Sequence, residues 1–224
     1  MSARTIAIGD IHGCSIALAA LIEAIAIALQ PDDTVVTLGD YVDRGLDSKG
    51  VLDVLLKLGD RCQLISLIGN HDAVMLGVID YQLSIEEWKS FGGTATLQSY
   101  GESERVKDIP AEHAEFLRRC RMWYETPTHF FVHAAYDPAL PLDQQDEATL
   151  LWQGIREEVP GPHVSGKTAI VGHTSQKNGE ILDVGHLVCI DTNCWNGGWL
   201  TAMDVESRRV WQVDERGRLR LPDK

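Results

Sequence analysis

The chain has 224 residues, enough for one sizeable domain with a real core. At 44% hydrophobic and 24% charged, it has the composition of an ordinary soluble globular protein. Lys and Arg number 20 against 33 Asp and Glu, a net charge of −13, which argues against a general nucleic-acid or anionic-membrane binder and leaves room for local positive sites.

The cysteines are Cys14, Cys62, Cys120, Cys189 and Cys194, an odd number with no CxxC pair. They read as free thiols in a reducing compartment, so a cytoplasmic location is expected. The N-terminus shows no signal peptide, because Arg4 to Ile8 already reads as a strand. The apolar stretch from Ile16 to Leu29 contains Glu23 and is too short to span a bilayer; it suits a buried helix.

In chain order, Thr5–Ile8 is an apolar, β-branched run that stops at Gly9-Asp10-Ile11-His12-Gly13. A helix is predicted from Ser15, as its N-cap, to about Leu29. A strand over Thr34–Leu38 leads into Gly39-Asp40-Tyr41-Val42-Asp43-Arg44-Gly45. Apolar residues at Val51, Leu52, Val54, Leu55 and Leu58 have helical spacing over Ser48–Leu58. Leu64–Ile68 is a further strand that stops at Gly69-Asn70-His71-Asp72. The first third thus reads β-α-β-α-β, the pattern of a parallel sheet covered by helices.

Residues 73–121 read as a mostly helical insertion within a single domain spanning 1–224. Strands resume at His129–Val132, which leads into His133, and at Thr168–Val171, which ends at Gly172-His173-Thr174. Between them lies a long connection with a short helix near Thr149–Ile155. Leu187–Ile190 is another strand, and Trp199–Val205 with Arg209–Val213 forms a terminal hairpin.

One construction recurs. Four apolar runs end in glycine and a potential metal ligand, Gly9-Asp10, Gly39-Asp40, Gly69-Asn70 and Gly172-His173, and a fifth ends in His133. Parallel strands deliver such ends to one edge of a sheet, where open α/β sheets place their sites. Glycine before each ligand lets the backbone turn sharply and approach closely. Imidazole, carboxylate and amide oxygen without cysteine suit Mn, Fe or Zn rather than a structural thiolate site. Asp10, His12, Asp40, Asn70, His133 and His173 are too many for one catalytic ion with open positions; two ions about 3.5–4 Å apart, bridged by a carboxylate, would use them all.

These motifs, in this order, resemble the signature of PPP-type metallophosphatases of the calcineurin-like metallophosphoesterase superfamily, and the bacterial and phage serine/threonine protein phosphatases in particular. The resemblance runs from about residue 4 to 205. It implies an α/β fold in which a two-sheet sandwich is flanked by helices. It implies that Asp10, His12 and Asp40 hold one divalent ion, and that Asp40, Asn70, His133 and His173 hold the other, with Mn2+ the expected metal and Fe or Zn as alternatives.

The expected chemistry is phosphomonoester hydrolysis by metal-bound hydroxide, which metal coordination makes available near neutral pH. Arg44 would grip phosphate as a bidentate fork. His71 would be the general acid for the leaving group, oriented by Asp43. Arg156 is the candidate for a second phosphate-binding arginine. The expected partner is a phosphoprotein or phosphopeptide carrying phosphoserine or phosphothreonine, with phosphotyrosine also open, and neither nucleic acid nor membrane. The alternative enzyme is a symmetrical dinucleoside tetraphosphatase, although such relatives generally lack the aspartate found here at Asp43. An inactive phosphate-binding module is a third reading, opposed by the complete set of core residues.

Other signals carry less. Gly161 to Thr168 fits the pattern GxxxxGK[ST], but an apolar strand rather than a helix is predicted after it, which rejects a nucleotide-binding P-loop. His186 precedes a strand instead of ending one, and His113, His129 and His163 lack a ligand-like context. Asp72 stands where many relatives of that family carry Glu, a departure that is expected to matter little. Trp88 and Trp195 are candidates to line the substrate entrance.

Overall fold

The computed structural model describes residues 4–26, 30, 32–101 and 105–221. The strands are β1 (Thr5–Ile8), β2 (Thr34–Thr37), β3 (Gln63–Ser66), β4 (Trp123–Glu125), β5 (His129–Val132), β6 (Thr168–Val171), β7 (Leu182–Asp183), β8 (Leu187–Cys189), β9 (Asp191–Thr192), β10 (Trp199–Asp204) and β11 (Val210–Val213). One sheet has the order β11-β10-β1-β2-β3, with β9 also paired to β10; the other has the order β4-β5-β6-β8-β7. Strands β1, β2 and β3 run parallel, as do β5, β6 and β8. The predicted terminal hairpin is present, with Leu200 opposite Val213.

The period-2 alternation of each strand builds three apolar layers. Ala7, Val36 and Ile65 point inward and meet Phe131, Ile170 and Val188 from the other sheet. Ile6, Ile8 and Val35 point the other way, onto α1 (Ser15–Ala26) and α2 (Ser48–Gly59). Phe130, Val132, Ala169 and Val171 cover the outer side of the second sheet together with Leu142, Leu150 and Ile155. Both faces of each sheet are therefore covered, which is why the strands read as unbroken apolar runs.

The predicted insertion begins inside the third motif. Helix α3 (Asn70–Ile79) starts at a candidate ligand position of the sequence pattern, and α4 (Ile85–Trp88), a π-helical turn at Lys89–Gly93, α5 (Thr94–Ser99) and α6 (Ala111–Arg118) follow. This segment has no core of its own. Trp88, Leu97 and Leu117 are buried in the same cluster as Leu18, Leu52 and Ile8.

Three details differ from the sequence reading. Ser15 is the first helical residue rather than a cap; its hydroxyl donates to Asp47, 2.6 Å away, and Asp47 caps α2 by accepting from the Gly50 N–H. The predicted end of the first helix, near Leu29, lies outside the described residues. The connecting helix α7 spans Glu147–Trp152, slightly earlier than predicted. Strands β4, β7 and β9 were not predicted, because two or three residues are too few to display a period.

Leu117 tests whether the insertion folds with the rest. Truncating it to Ala removes a fully buried side chain, and such changes cost about 2–5 kcal/mol. Leu117→Ala should lower the urea midpoint of a single cooperative transition; a separate early transition would show that the insertion unfolds on its own.

Candidate metal centre and active site

The carboxyl ends of five parallel strands meet at one edge of the sandwich. Strands β1, β2 and β3 lead to Asp10 and His12, to Asp40, and to Asn70; β5 and β6 lead to His133 and His173. All of these except His173 are almost completely buried.

Asp40 is at the centre. Its Oδ2 lies 3.3 Å from His12 Nε2, and its Oδ1 lies 3.5 Å from His133 Nε2. Both imidazoles are oriented from behind. His12 Nδ1 donates to the Val42 carbonyl at 2.9 Å, and His133 Nδ1 donates to the Leu38 carbonyl at 2.8 Å. That fixes the tautomer and leaves each Nε2 with a lone pair facing the carboxylate. Asn70 Oδ1 sits 3.0 Å from His133 Nε2, and His173 Nδ1 sits 3.1 Å from the same oxygen. So many electron-pair donors in one buried space fit a cation between them.

Two groups have ligand atoms close enough to share an ion, His12–Asp40–His71 and Asp40–His133–His173. They share Asp40, in keeping with a dinuclear site. Asp10 falls outside both groups. It is buried, its Oδ2 accepts from the His173 N–H at 2.9 Å, and its Oδ1 has no partner among the described residues. A Cβ on Gly172 would lie 2.1 Å from that oxygen, so only glycine leaves the carboxylate its place.

The charge states agree with cation binding. Burial, then the Asp191 and Asp40 carboxylates, push Asp10 well above the usual carboxylate range. Burial alone would raise Asp40 too, but His133, His12 and His71 outweigh it and hold the carboxyl well below that range. Desolvation keeps His133 on the neutral side, and desolvation followed by the His133 charge lowers His173 to about 4. Neutral imidazoles at His133 and His173 are the form that ligates a divalent ion.

The second motif provides more than Asp40. His71 Nδ1 is 2.8 Å from Asp43 Oδ2, both groups are fully buried, and His71 Nε2 has no partner among the described residues. The dyad is held by the helical insertion. Trp88 Nε1 donates to both Asp43 oxygens, at 3.0 and 3.1 Å, and the Thr96 hydroxyl donates to one of them at 2.7 Å. Phe91, on the π-helical turn, stacks on His71 with centroids 4.1 Å apart. Trp152, 46% exposed, packs against Phe91 at 5.8 Å. Arg44 reaches His12 Nε2 at 3.0 Å, and its guanidinium lies 5.2 Å from the centre of the Trp195 ring.

Trp195 borders the site as expected, whereas Trp88 is fully buried and serves Asp43 instead. Asp72 has a structural part that the sequence reading did not assign. It is fully buried and accepts from the N–H groups of Asp40, Tyr41 and Gly69 at 2.8, 3.0 and 2.9 Å, tying the second loop to the third. Its place three residues after Gly69 is a capping position, the one signal that marks it in the sequence. Phe91, Thr96 and Trp152 had no such signal.

Arg156 is exposed and donates to the carbonyl of Ser175, two residues past His173. His186 is bonded to the Pro160 carbonyl, and the predicted strand follows Gly161–Lys167.

Residues 3–180 match the family of calcineurin-like phosphoesterases. The symmetrical bis(5'-nucleosyl)-tetraphosphatase of Dechloromonas aromatica (strain RCB) is 25% identical over 279 residues, covering 94% of this chain and 95% of that protein. Serine/threonine-protein phosphatase 1 of Salmonella typhimurium is 27% identical over 208 residues, covering 89% and 90%. A crystal structure of a candidate diadenosine tetraphosphatase has a TM-score of 0.71 at 24% identity, covering 95% of this chain and 94% of that one, which shows a common fold. The family match spans more than half of the chain and takes in every strand that feeds the site, and the chain belongs to the calcineurin-like phosphoesterases.

Proposed function

We propose that this phosphoesterase is a dinuclear-metal hydrolase of nucleoside polyphosphates, acting on symmetrical dinucleoside tetraphosphates to give two nucleoside diphosphates. Asp40 carries the catalytic part of this reading, with one oxygen turned to His12 and the other to His133. The substrate part is supported by the tetraphosphatase from Dechloromonas aromatica, which aligns along nearly its whole length.

Asp10, His12, Asp40, Asn70, His133 and His173 would hold two divalent ions, Mn2+ by preference. Such ions supply a water of lowered pKa and Lewis-acid stabilisation of phosphoryl oxygens. Arg44 adds a guanidinium that binds two phosphoryl oxygens at once. Asp43 accepts from the Nδ1 side of His71, so it is the imidazolium, protonated at Nε2 as well, that would pass a proton to the departing oxygen when the P–O bond breaks. Phe91 packs on the His71 ring and limits water there.

A second reading, a phosphoprotein phosphatase, is favoured by that same dyad. A serine alkoxide needs a proton to leave, and a diphosphate needs one far less.

Purified protein with Mn2+ should cleave diadenosine tetraphosphate faster than a phosphoserine peptide, and chelation should abolish both activities. The opposite preference would establish the phosphoprotein reading, and no turnover with any divalent ion would overturn both. His71→Asn should lower kcat for the phosphopeptide by about 10²–10⁴-fold, the range for general acid catalysis, and by less for the dinucleotide, with metal content near normal. Loss of metal would instead make His71 a ligand. Because His173 titrates near pH 4, metal content measured by elemental analysis should hold between pH 8 and 6, then fall as protons displace metal towards pH 4.

A further inference from the structure

A cavity of about 560 Å3 opens beside Arg44 and is lined by Ile16, Leu46, Trp195, Glu215 and Arg216, among others. That volume is within the range of small-molecule sites, about 300–1,000 Å3. None of these five residues belongs to the metal clusters or to the Asp43–His71 dyad. Ile16 and Leu46 are 64% and 87% exposed, a large apolar surface to leave next to a charged centre.

We infer that this cavity is a nucleoside subsite, taking one base and ribose of a nucleoside 5'-polyphosphate; the inference rests on the nucleotide reading above. Continuity places it there. The guanidinium of Arg44 lies against the Trp195 ring, so a phosphate drawn to Arg44 brings its attached nucleoside to that wall. A nucleobase offers a flat apolar face to Trp195, Leu46 and Ile16. The Glu215 carboxylate is an acceptor for ribose hydroxyls, and Arg216, 3.9 Å from it, is a second cation for phosphate.

Leu46→Glu tests this with little risk to folding, because the side chain is mostly exposed. Trp195→Ala is the second variant. Binding of adenosine 5'-diphosphate and of inorganic pyrophosphate to the Mn2+-loaded protein would be measured by calorimetry. Wild type should bind the nucleotide more tightly than pyrophosphate. Each variant should weaken the nucleotide at least tenfold relative to pyrophosphate. The ratio of kcat/KM for diadenosine tetraphosphate to that for inorganic tripolyphosphate should fall by a similar factor. Equal losses for both ligands, no loss for either, or a loss confined to phosphopeptide KM would overturn the subsite. Failure to cleave the dinucleotide while adenosine 5'-diphosphate still binds through Leu46 and Trp195 would overturn the activity and leave the subsite standing.

Discussion

The structure depends on where one carboxylate sits. Asp40 must offer an oxygen to imidazoles from each of two sheets, and strand geometry alone would not hold it there. It has a φ of 51°, and His12, Asp43, Arg44 and His173 also lie in the left-handed region. Each such residue costs on the order of 1–3 kcal/mol and persists only where its surroundings over-determine it. Asp72 is the main restraint, because one buried carboxylate accepts the N–H groups of Asp40, Tyr41 and Gly69. Gly69 adds a steric condition: a Cβ there would lie 2.2 Å from Asp40 Oδ1.

The same logic joins the helical insertion to the chemistry. Its core residues pack into the layer beneath the first sheet, so α4, the π-helical turn and α5 are rigidly placed. From there Trp88 and Thr96 fix both oxygens of Asp43, and Phe91 covers His71. The insertion therefore sets the position of the Asp43–His71 dyad. A π-helical turn at this point fits the tendency of such turns to occur at functional sites. The aromatic rings fall on different sides of the centre: Phe91 and Trp152 are next to His71, and Trp195 is next to Arg44.

Much of the fold was legible because its signals are local. The runs Thr5–Ile8, Thr34–Leu38 and Thr168–Val171 are covered on both faces, and continuous burial writes itself as continuous apolar sequence. The two- and three-residue strands leave no such trace. Ser15 looked like a cap because Ser is a common one, but Asp47, 32 residues later, takes its hydroxyl. The part Asp72 plays is hidden for the same reason, since two of its three donors come from another loop.

By itself the sequence determined the ligand types, their place after glycine at strand ends, and the pairing of charges in Asp40-Tyr41-Val42-Asp43-Arg44, because these are properties of residue type and short spacing. Only the tertiary structure decided that Asp40 divides its two oxygens between His12 and His133, that Trp88 supports Asp43 instead of facing substrate, and that Leu46 and Trp195 border one cavity. Those facts depend on residues from 28 to 149 positions apart, and no local pattern records which distant loops the packing of two sheets will bring together.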